Sequence, residues 1–400
     1  MLSAIGTQMQ VVAVAWQIYL LTNSKLALGL IGLARGGPLV LASLGSGVIA
    51  DAFDRRLTLL VTQVSLASLS AMLAVLTATG RVSPPLIYGI VAVTSAIQAL
   101  DQPARSSLVP HLVPRAVFPR AMSLIVAARE FATIAGPAIG GLVIGVAGIV
   151  PNYVADAVSY SFVLMAVILM HTRVGHVATR QVSMAAIREG WSFMIHNRVI
   201  LSVQSLDFLA NFFAASTVLF PVFARTIFHT GPQGLGLLYG AGSFGAVIGA
   251  LLLGLFGRLR RQGLVILLAV SVYGVALAAF GFAPWFLLGL LFLALSGAAD
   301  AVSASLRGTI SQMATPDRLR GRVTAVNTMF VAGGPQLGNL EAGAAAAALG
   351  TREAVALGGF VTVGVVGLIS LLSRTIRDYT SEEAAPALAP AAQGNSGRPP

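Results

Sequence analysis

The chain has 400 residues, 56% of them apolar and only 10% charged, with a formal net charge of +11 and no cysteine. A soluble domain carries about a quarter charged residues, so this composition excludes an ordinary water-soluble fold and requires lipid as solvent. The basic residues stand in small groups between long apolar runs, which argues against a nucleic-acid partner, and the lack of cysteine excludes disulfides, thiolate metal sites and cysteine nucleophiles.

A membrane-spanning helix needs about 20 predominantly apolar residues. In chain order the apolar runs predict twelve spans, over 2–22, 27–50, 58–79, 85–104, 121–150, 153–170, 200–224, 234–256, 264–282, 285–306, 323–349 and 354–372. The first run has no basic leader and no small-residue cleavage site, so it reads as a mature span. One set of alternate loops takes nearly all the arginines, from Arg55 and Arg56 through Arg105, Arg198 and Arg307 to Arg322 and Arg377, while the opposite set holds Lys25, Arg81, Arg225 and Arg352. Basic residues favour cytoplasmic loops. The expectation is therefore a multi-pass protein of the cell inner (plasma) membrane with both termini in the cytoplasm.

The two halves repeat. Around Gly136 the chain reads AREFATIAGPAIGGLVIG and around Gly334 VNTMFVAGGPQLGNLEAG, so Gly136, Pro137 and Gly140 recur as Gly334, Pro335 and Gly338. A second echo pairs Arg55-Arg56 with Arg260-Arg261. Both link spans six apart, as expected when a six-helix unit is duplicated in parallel orientation and the two copies rock about a midplane site. The predicted organisation is an N-terminal six-helix bundle (1–170), a cytoplasmic linker (171–199), a C-terminal six-helix bundle (200–374) and a low-complexity, disordered cytoplasmic tail (375–400).

Several of these residues also carry a family resemblance. Gly47, Ala50, Asp51, Asp54, Arg55 and Arg56 are similar to the loop signature of the major facilitator superfamily, roughly G-x-x-x-D-R-x-G-R-R. The string GPAIGG from Gly136 to Gly141 resembles the fifth-helix antiporter motif of the drug-exporter branches, and ALDQPARSSLVPHLVP is similar to the enterobactin-exporter-like branch. The resemblance runs from Met1 to about Arg374. It implies an all-α integral membrane fold of twelve helices in two pseudo-symmetric bundles, exporting a drug or siderophore against protons. Ala52 departs from the pattern: it fills the basic position after Asp51, so the inter-helix salt bridge the resemblance implies cannot start there.

The residues themselves support physical readings with alternatives. Arg55 and Arg56 favour the carboxyl end of a helix dipole, and Asp51 is placed to meet the amino end of another helix, the eleventh span near Gly321 and Arg322. With Gly47 and Asp54 these form a gating loop, or else a plain positive-inside anchor. Gly136, Pro137, Gly140 and Gly141 supply a kink and a close seam, with simple helix packing as the alternative to a coupling role. Arg35 and Glu341 lie deep in the second and eleventh spans and form a candidate outer gate pair, or else a permanent buried pair or two snorkelling side chains. Two polar stripes at helical spacing, Gln204, Asp207 and Asn211 in the seventh span and Thr94, Gln98 and Asp101 in the fourth, are candidates to line the cavity. Asp207 or Glu130 is the candidate proton-responsive group.

Enzymatic chemistry finds no support. GAGSFG at Gly240 to Gly245 matches a dinucleotide-binding string, but it lies inside an apolar run with no preceding strand, and Gly236, Gly240, Gly245 and Gly249 suit helix packing. The histidines lack zinc-ligand spacing, and no P-loop is present. The sequence thus predicts a transporter without cofactor or metal, acting on a small hydrophobic or amphipathic substrate, with protons and the lipid bilayer as partners and a monomer expected. An importer, a uniporter and a non-transporting receptor or scaffold remain alternatives at this point.

Overall fold

The computed structural model describes residues 1–52, 54–169, 184–255 and 260–377. Six long helices come first: α1 (Leu2–Thr22), α2 (Lys25–Ala52), α3 (Arg55–Ala78), α4 (Pro84–Leu112), α5 (Phe118–Ala147) and α6 (Ile149–Leu169). The amphipathic α7 (Met184–His196) leads into α8 (Arg198–Phe213) and the three-residue α9 (Phe220–Val222). Then follow α10 (Gly231–Leu255), α11 (Gln262–Gly281), α12 (Phe286–Met313), α13 (Asp317–Leu349), α14 (Thr351–Leu372) and the short α15 (Arg374–Arg377). No strand occurs among the described residues.

Ten helical segments among the described residues are long and apolar enough to cross a membrane, α8 to Ile227 being one of them. α4 and α13 fall outside that set because each carries polar and charged residues along its length. Leu41, Val146, Leu255, Leu287 and Leu371 stand exposed on the outside of the bundle, as lipid-facing side chains must.

Local chemistry sets the helix ends. Asp54 caps α3 by accepting from the Arg56 and Leu57 amides at 2.7 and 3.1 Å, and Asn197 caps α8 by accepting from Val199 and Ile200. Gly148 (φ 90°) and Gly350 (φ 109°) turn α5 into α6 and α13 into α14, in a backbone region where a Cβ is strained.

α1 to α6 pack into one bundle, α1 against α5 and α6 and α3 against α4 and α6; α8 and α10 to α14 form the second, with α10 against α12 and α11 against α12 and α14. Two seams join them, α2 with α13 and α5 with α10. The α1–α2, α5–α6 and α13–α14 connections lie at one end of the bundle, here the turn face; the α2–α3, α4–α5 and α12–α13 connections lie at the opposite end, the loop face.

The seams are built from glycine because only small residues let two helix backbones approach closely. A Cβ on Gly29 would lie 3.1 Å from Gly343 Cα, and one on Gly141 would lie 2.9 Å from Gly236 Cα. Lys25 Nζ adds a 3.1 Å hydrogen bond to the Ala346 carbonyl, and Tyr19 Oη meets Thr226 Oγ1 at 2.9 Å. All these contacts lie in the half of the molecule nearer the turn face. There one apolar core runs through both bundles, from Val12, Tyr19 and Leu28 to Leu219, Leu235 and Ala346. Nearer the loop face the core divides: Leu59, Ala104, Leu108 and Val167 form one cluster, and Val203, Leu206, Ile266 and Ile310 another. Among the described residues, the bundles therefore share one core near the turn face and have separate cores near the loop face.

The seventh run, read as one span over 200–224, is one segment, Arg198–Ile227, with an internal interruption: α8 stops at Phe213, a 3₁₀ turn covers Thr217–Leu219, and a π turn covers Phe223–Ile227. Two expectations from the sequence are corrected here. Arg105 and Arg307, assigned to loops, lie inside α4 and α12, because both helices continue well past their apolar cores; Arg307 is only 6% exposed.

Candidate transport site

The break after Phe213 builds the site. Non-helical backbone at membrane depth is tolerated where it is enclosed by protein or lines a cavity, and here Ala214 to Thr217 border a cavity of about 310 Å³ within the C-terminal bundle. Its walls bring Asn211 and Phe220 together with Tyr239 and Ser243 of α10, Tyr273 of α11, Ser296 and Asp300 of α12, and Asn339 of α13.

Beside the cavity two carboxylates share one guanidinium. Arg307 Nη2 lies 2.7 Å from Asp207 Oδ1 and 3.4 Å from Asp300 Oδ1. Asn211 Nδ2 donates to Asp207 Oδ1 at 2.9 Å. Gln204 Nε2, from the same stripe of α8, donates to Asn327 Oδ1 of α13 at 2.5 Å. Asp207 is thus paired and buried, whereas Asp300 keeps 41% of its side chain exposed. A buried charge without its partner is costly, which is why an arginine sits this deep.

The stripe in α4 faces elsewhere. Asp101, expected to line the cavity, turns into its own bundle, where it accepts from Thr62 Oγ1 at 2.8 Å, Gln63 Nε2 at 2.7 Å and Arg105 Nε at 2.5 Å. Thr94 is buried with its hydroxyl unpartnered, and Gln98 is half-buried. Arg35 and Glu341 form no ion pair in this structure. Gly333, Gln336, Asn339, Leu340, Gly343 and Ala346 of α13 meet α2, and Glu341 stands about 200° around the helix from Asn339 at roughly 100° per residue.

Glu130 is exposed on the wall of a second cleft, about 770 Å³ in volume, between α5 and α10 near the loop face. Met122, Val126 and Phe131 line it from α5, and Val247 and Leu251 from α10. Further along the same seam, Gly136 and Gly140 press on α1 at Gln8 and Met9, while Gly141 presses on α10. Pro137 lies between them inside α5.

Of the gating loop, Asp54 is the cap described above and Arg56 Nη2 donates to the Ile168 carbonyl at the end of α6, 3.0 Å away. The side chains of Gly47, Asp51 and Arg55 lie outside the described residues, as do position 170, positions 171–183 of the linker and 378–400 of the tail. Arg322, the expected neighbour of Asp51, is ion-paired with Glu189 of α7. Trp191 of α7 stacks on Phe330 of α13 with ring centroids 5.5 Å apart. Among the described residues no group of three or more metal-ligating side chains occurs.

Sequence reasoning missed two buried groups. Arg307 carries a signal, since it lies seven residues after Asp300 on the same helical face and nine before Pro316, as Arg105 lies nine before Pro114. Asp156, fully buried in α6, accepts from Ser70 at 2.7 Å and leaves its other oxygen unpartnered; nothing in its sequence neighbourhood marks it.

Comparison with known proteins agrees with this architecture. Residues 1–393 match the family described as "Transmembrane secretion effector". The enterobactin exporter EntS of Escherichia coli O81 (strain ED1a) is 26% identical over 361 residues, covering 90% of this chain and 86% of the relative. EntS of Shigella boydii serotype 18 aligns with the same identity and coverage. Among solved structures, a point mutant of the nucleoside transporter NupG superposes with a TM-score of 0.74 at 11% identity, over 93% of this chain and 97% of NupG. A bacterial homologue of the human lysosomal transporter Spinster, inward-facing and occupied, gives 0.73 at 14% identity, over 94% and 95%. The chain belongs to the transmembrane secretion effector family of major facilitator superfamily transporters.

Proposed function

We propose that this protein is a proton-coupled exporter that moves a small hydrophobic or amphipathic molecule, a drug or siderophore, out of the cell by alternating access. Its twelve spans, with α4 and α13 among them, are divided as 1–170 and 200–374 around a cytoplasmic linker. The arginine bias makes the loop face cytoplasmic and places both termini there, in the inner (plasma) membrane. The protein works as a monomer, since its two bundles already supply both walls of the pathway.

The observation that carries this reading is the unequal seam: glycine contacts and one shared core hold the turn face shut, while α5 and α10 part around the cleft at the loop face. In the proposed orientation this is an inward-facing state, the one in which an exporter collects its substrate. The curated relatives are exporters by name, which favours export over import. Asp207 is the proposed proton-responsive carboxyl. Its partner Arg307 is shared with Asp300, so a proton arriving on either acid redistributes the guanidinium between them, and a proton gradient gains a handle on the packing of α8 against α12.

Efflux from proteoliposomes of a panel of lipophilic dyes, drugs and siderophores, with and without an imposed proton gradient, tests the reading. Gradient-driven flux that Asp207→Asn uncouples is expected. Flux of every compound that ignores the gradient would replace the exporter with a uniporter.

A further inference from the structure

The cavity beside Asp300 has a charge, a size and a wall composition that together select a ligand class. Arg307 sits closer to Asp207, at 2.7 Å, than to Asp300, at 3.4 Å, and Asp207 also receives a hydrogen bond from Asn211. The single guanidinium is therefore largely committed to Asp207. The pair of acids and one base carries one net negative charge, and Asp300, the less compensated acid, is the one on the cavity wall.

Among the described residues, no lysine, arginine or histidine lines the cavity. Arg35 of α2 is not part of the wall. The wall also holds an aromatic and apolar group, in which Phe220 and Tyr239 pack edge to face with centroids 5.1 Å apart, together with Tyr273, Leu277 and Leu293; Ser243, Ser296 and Asn339 add neutral polar groups. Aromatic faces attract organic cations, and an acidic group at the edge of an apolar chamber fixes their orientation. Pockets for drug-sized ligands run from about 300 to 1,000 Å³, so a cavity of about 310 Å³ suits a small ligand.

We propose that this cavity is a binding site for small organic cations, amines or quaternary ammonium groups on a compact apolar body, with the cationic head on Asp300 and the body against Phe220, Tyr239 and Tyr273. The inference rests on the transporter reading above and names its substrate class. An anionic ligand would meet a carboxylate whose counter-charge is shared with Asp207, and a neutral one would add nothing to the share of Arg307 that Asp300 holds.

The test is equilibrium binding to the purified full chain in lipid nanodiscs, using radiolabelled benzyltrimethylammonium, benzyl alcohol and benzenesulfonate as cationic, neutral and anionic probes of similar size. Saturable binding of the cation alone is expected. Asp300→Asn should weaken it by at least about tenfold, equivalent to about 1.4 kcal/mol, while Asp300→Glu, which keeps the charge and controls for folding, retains most of it. Equal binding of the neutral or anionic probe, undiminished cation binding by Asp300→Asn, or no saturable cation binding would each overturn the proposal. Flux of the same probes in proteoliposomes separates the two claims. Cation binding that depends on Asp300 without any flux supports the site and counts against transport, whereas flux of other compounds without cation binding leaves the transporter and removes the site.

Discussion

In the N-terminal bundle, α3, α4 and α6 are unbroken helices that close around Asp101 and Asp156, and each acid is tied to neighbours in its own bundle. In the C-terminal bundle a helix is interrupted: α8 ends at Phe213, a cavity opens beside the break, and two acids share Arg307. The two bundles share one repeated pattern, yet one uses its buried charge to lock helices together and the other leaves an acid facing a cavity. A repeat fixes the frame of a transporter; local breaks in it make the site.

The sharpest way to break this comparison is Arg307→Met. It leaves Asp207 buried without its counter-charge, which costs about 3–5 kcal/mol, read as a large drop in the unfolding temperature of the purified protein. Combining it with Asp207→Asn should recover most of the loss, and failure to recover would show that Arg307 acts through other contacts. Asp101→Asn, the parallel change in the N-terminal bundle, removes charge-assisted hydrogen bonds worth about 1.5–3 kcal/mol each. It should lower stability while leaving saturating flux near that of the wild type; a specific loss of flux would make the N-terminal acid part of the site.

Gly141→Val probes the seam. Forcing a branched side chain against Gly236 costs about 1–3 kcal/mol by overpacking and should loosen the turn face. Because the chain has no cysteine, a cysteine placed at Leu235, buried near the start of α10, gives a clean reading: its labelling by a membrane-impermeant maleimide should rise in the variant. The smallest effect is expected for Glu189→Gln, which removes a half-exposed pair with Arg322 worth about 0.2–1 kcal/mol; stability should barely change.

Much of the fold was legible because lipid imposes simple rules. Apolar runs marked most spans, and the GPAIGG motif marked a helix that makes close contacts on two sides, through Gly136 on α1 and Gly141 on α10. The break after α8 had one signal that the span reading passed over: Pro221, in the first turn of α9, cannot continue a helix from Thr217 because it lacks an N–H and clashes with the carbonyl four residues back. Ala214 and Ala215, which favour helix in isolation, hid it. Arg307 was misread for a related reason: positive-inside logic sends any arginine near the end of an apolar run to a loop, whereas α12 continues through Met313 and the side chain finds Asp207 across the bundle. Arg35 and Glu341 were paired on depth and on the second and eleventh spans facing each other; those helices do meet, but neither ground fixes azimuth, and the helix periodicity of α13 carries Glu341 away from α2.

The central claim is that the loop-face cleft closes and the turn-face seam opens during transport. Spin labels at Val126 and Leu251, on opposite walls of the α5–α10 cleft, and at Gly145 and Gln233 on the closed end of the same seam, would report both ends by distance measurement in nanodiscs. Alternating access requires that acidification or saturating substrate shorten the first distance while lengthening the second. Two distances that stay fixed under every condition, in a preparation that still transports, would contradict it.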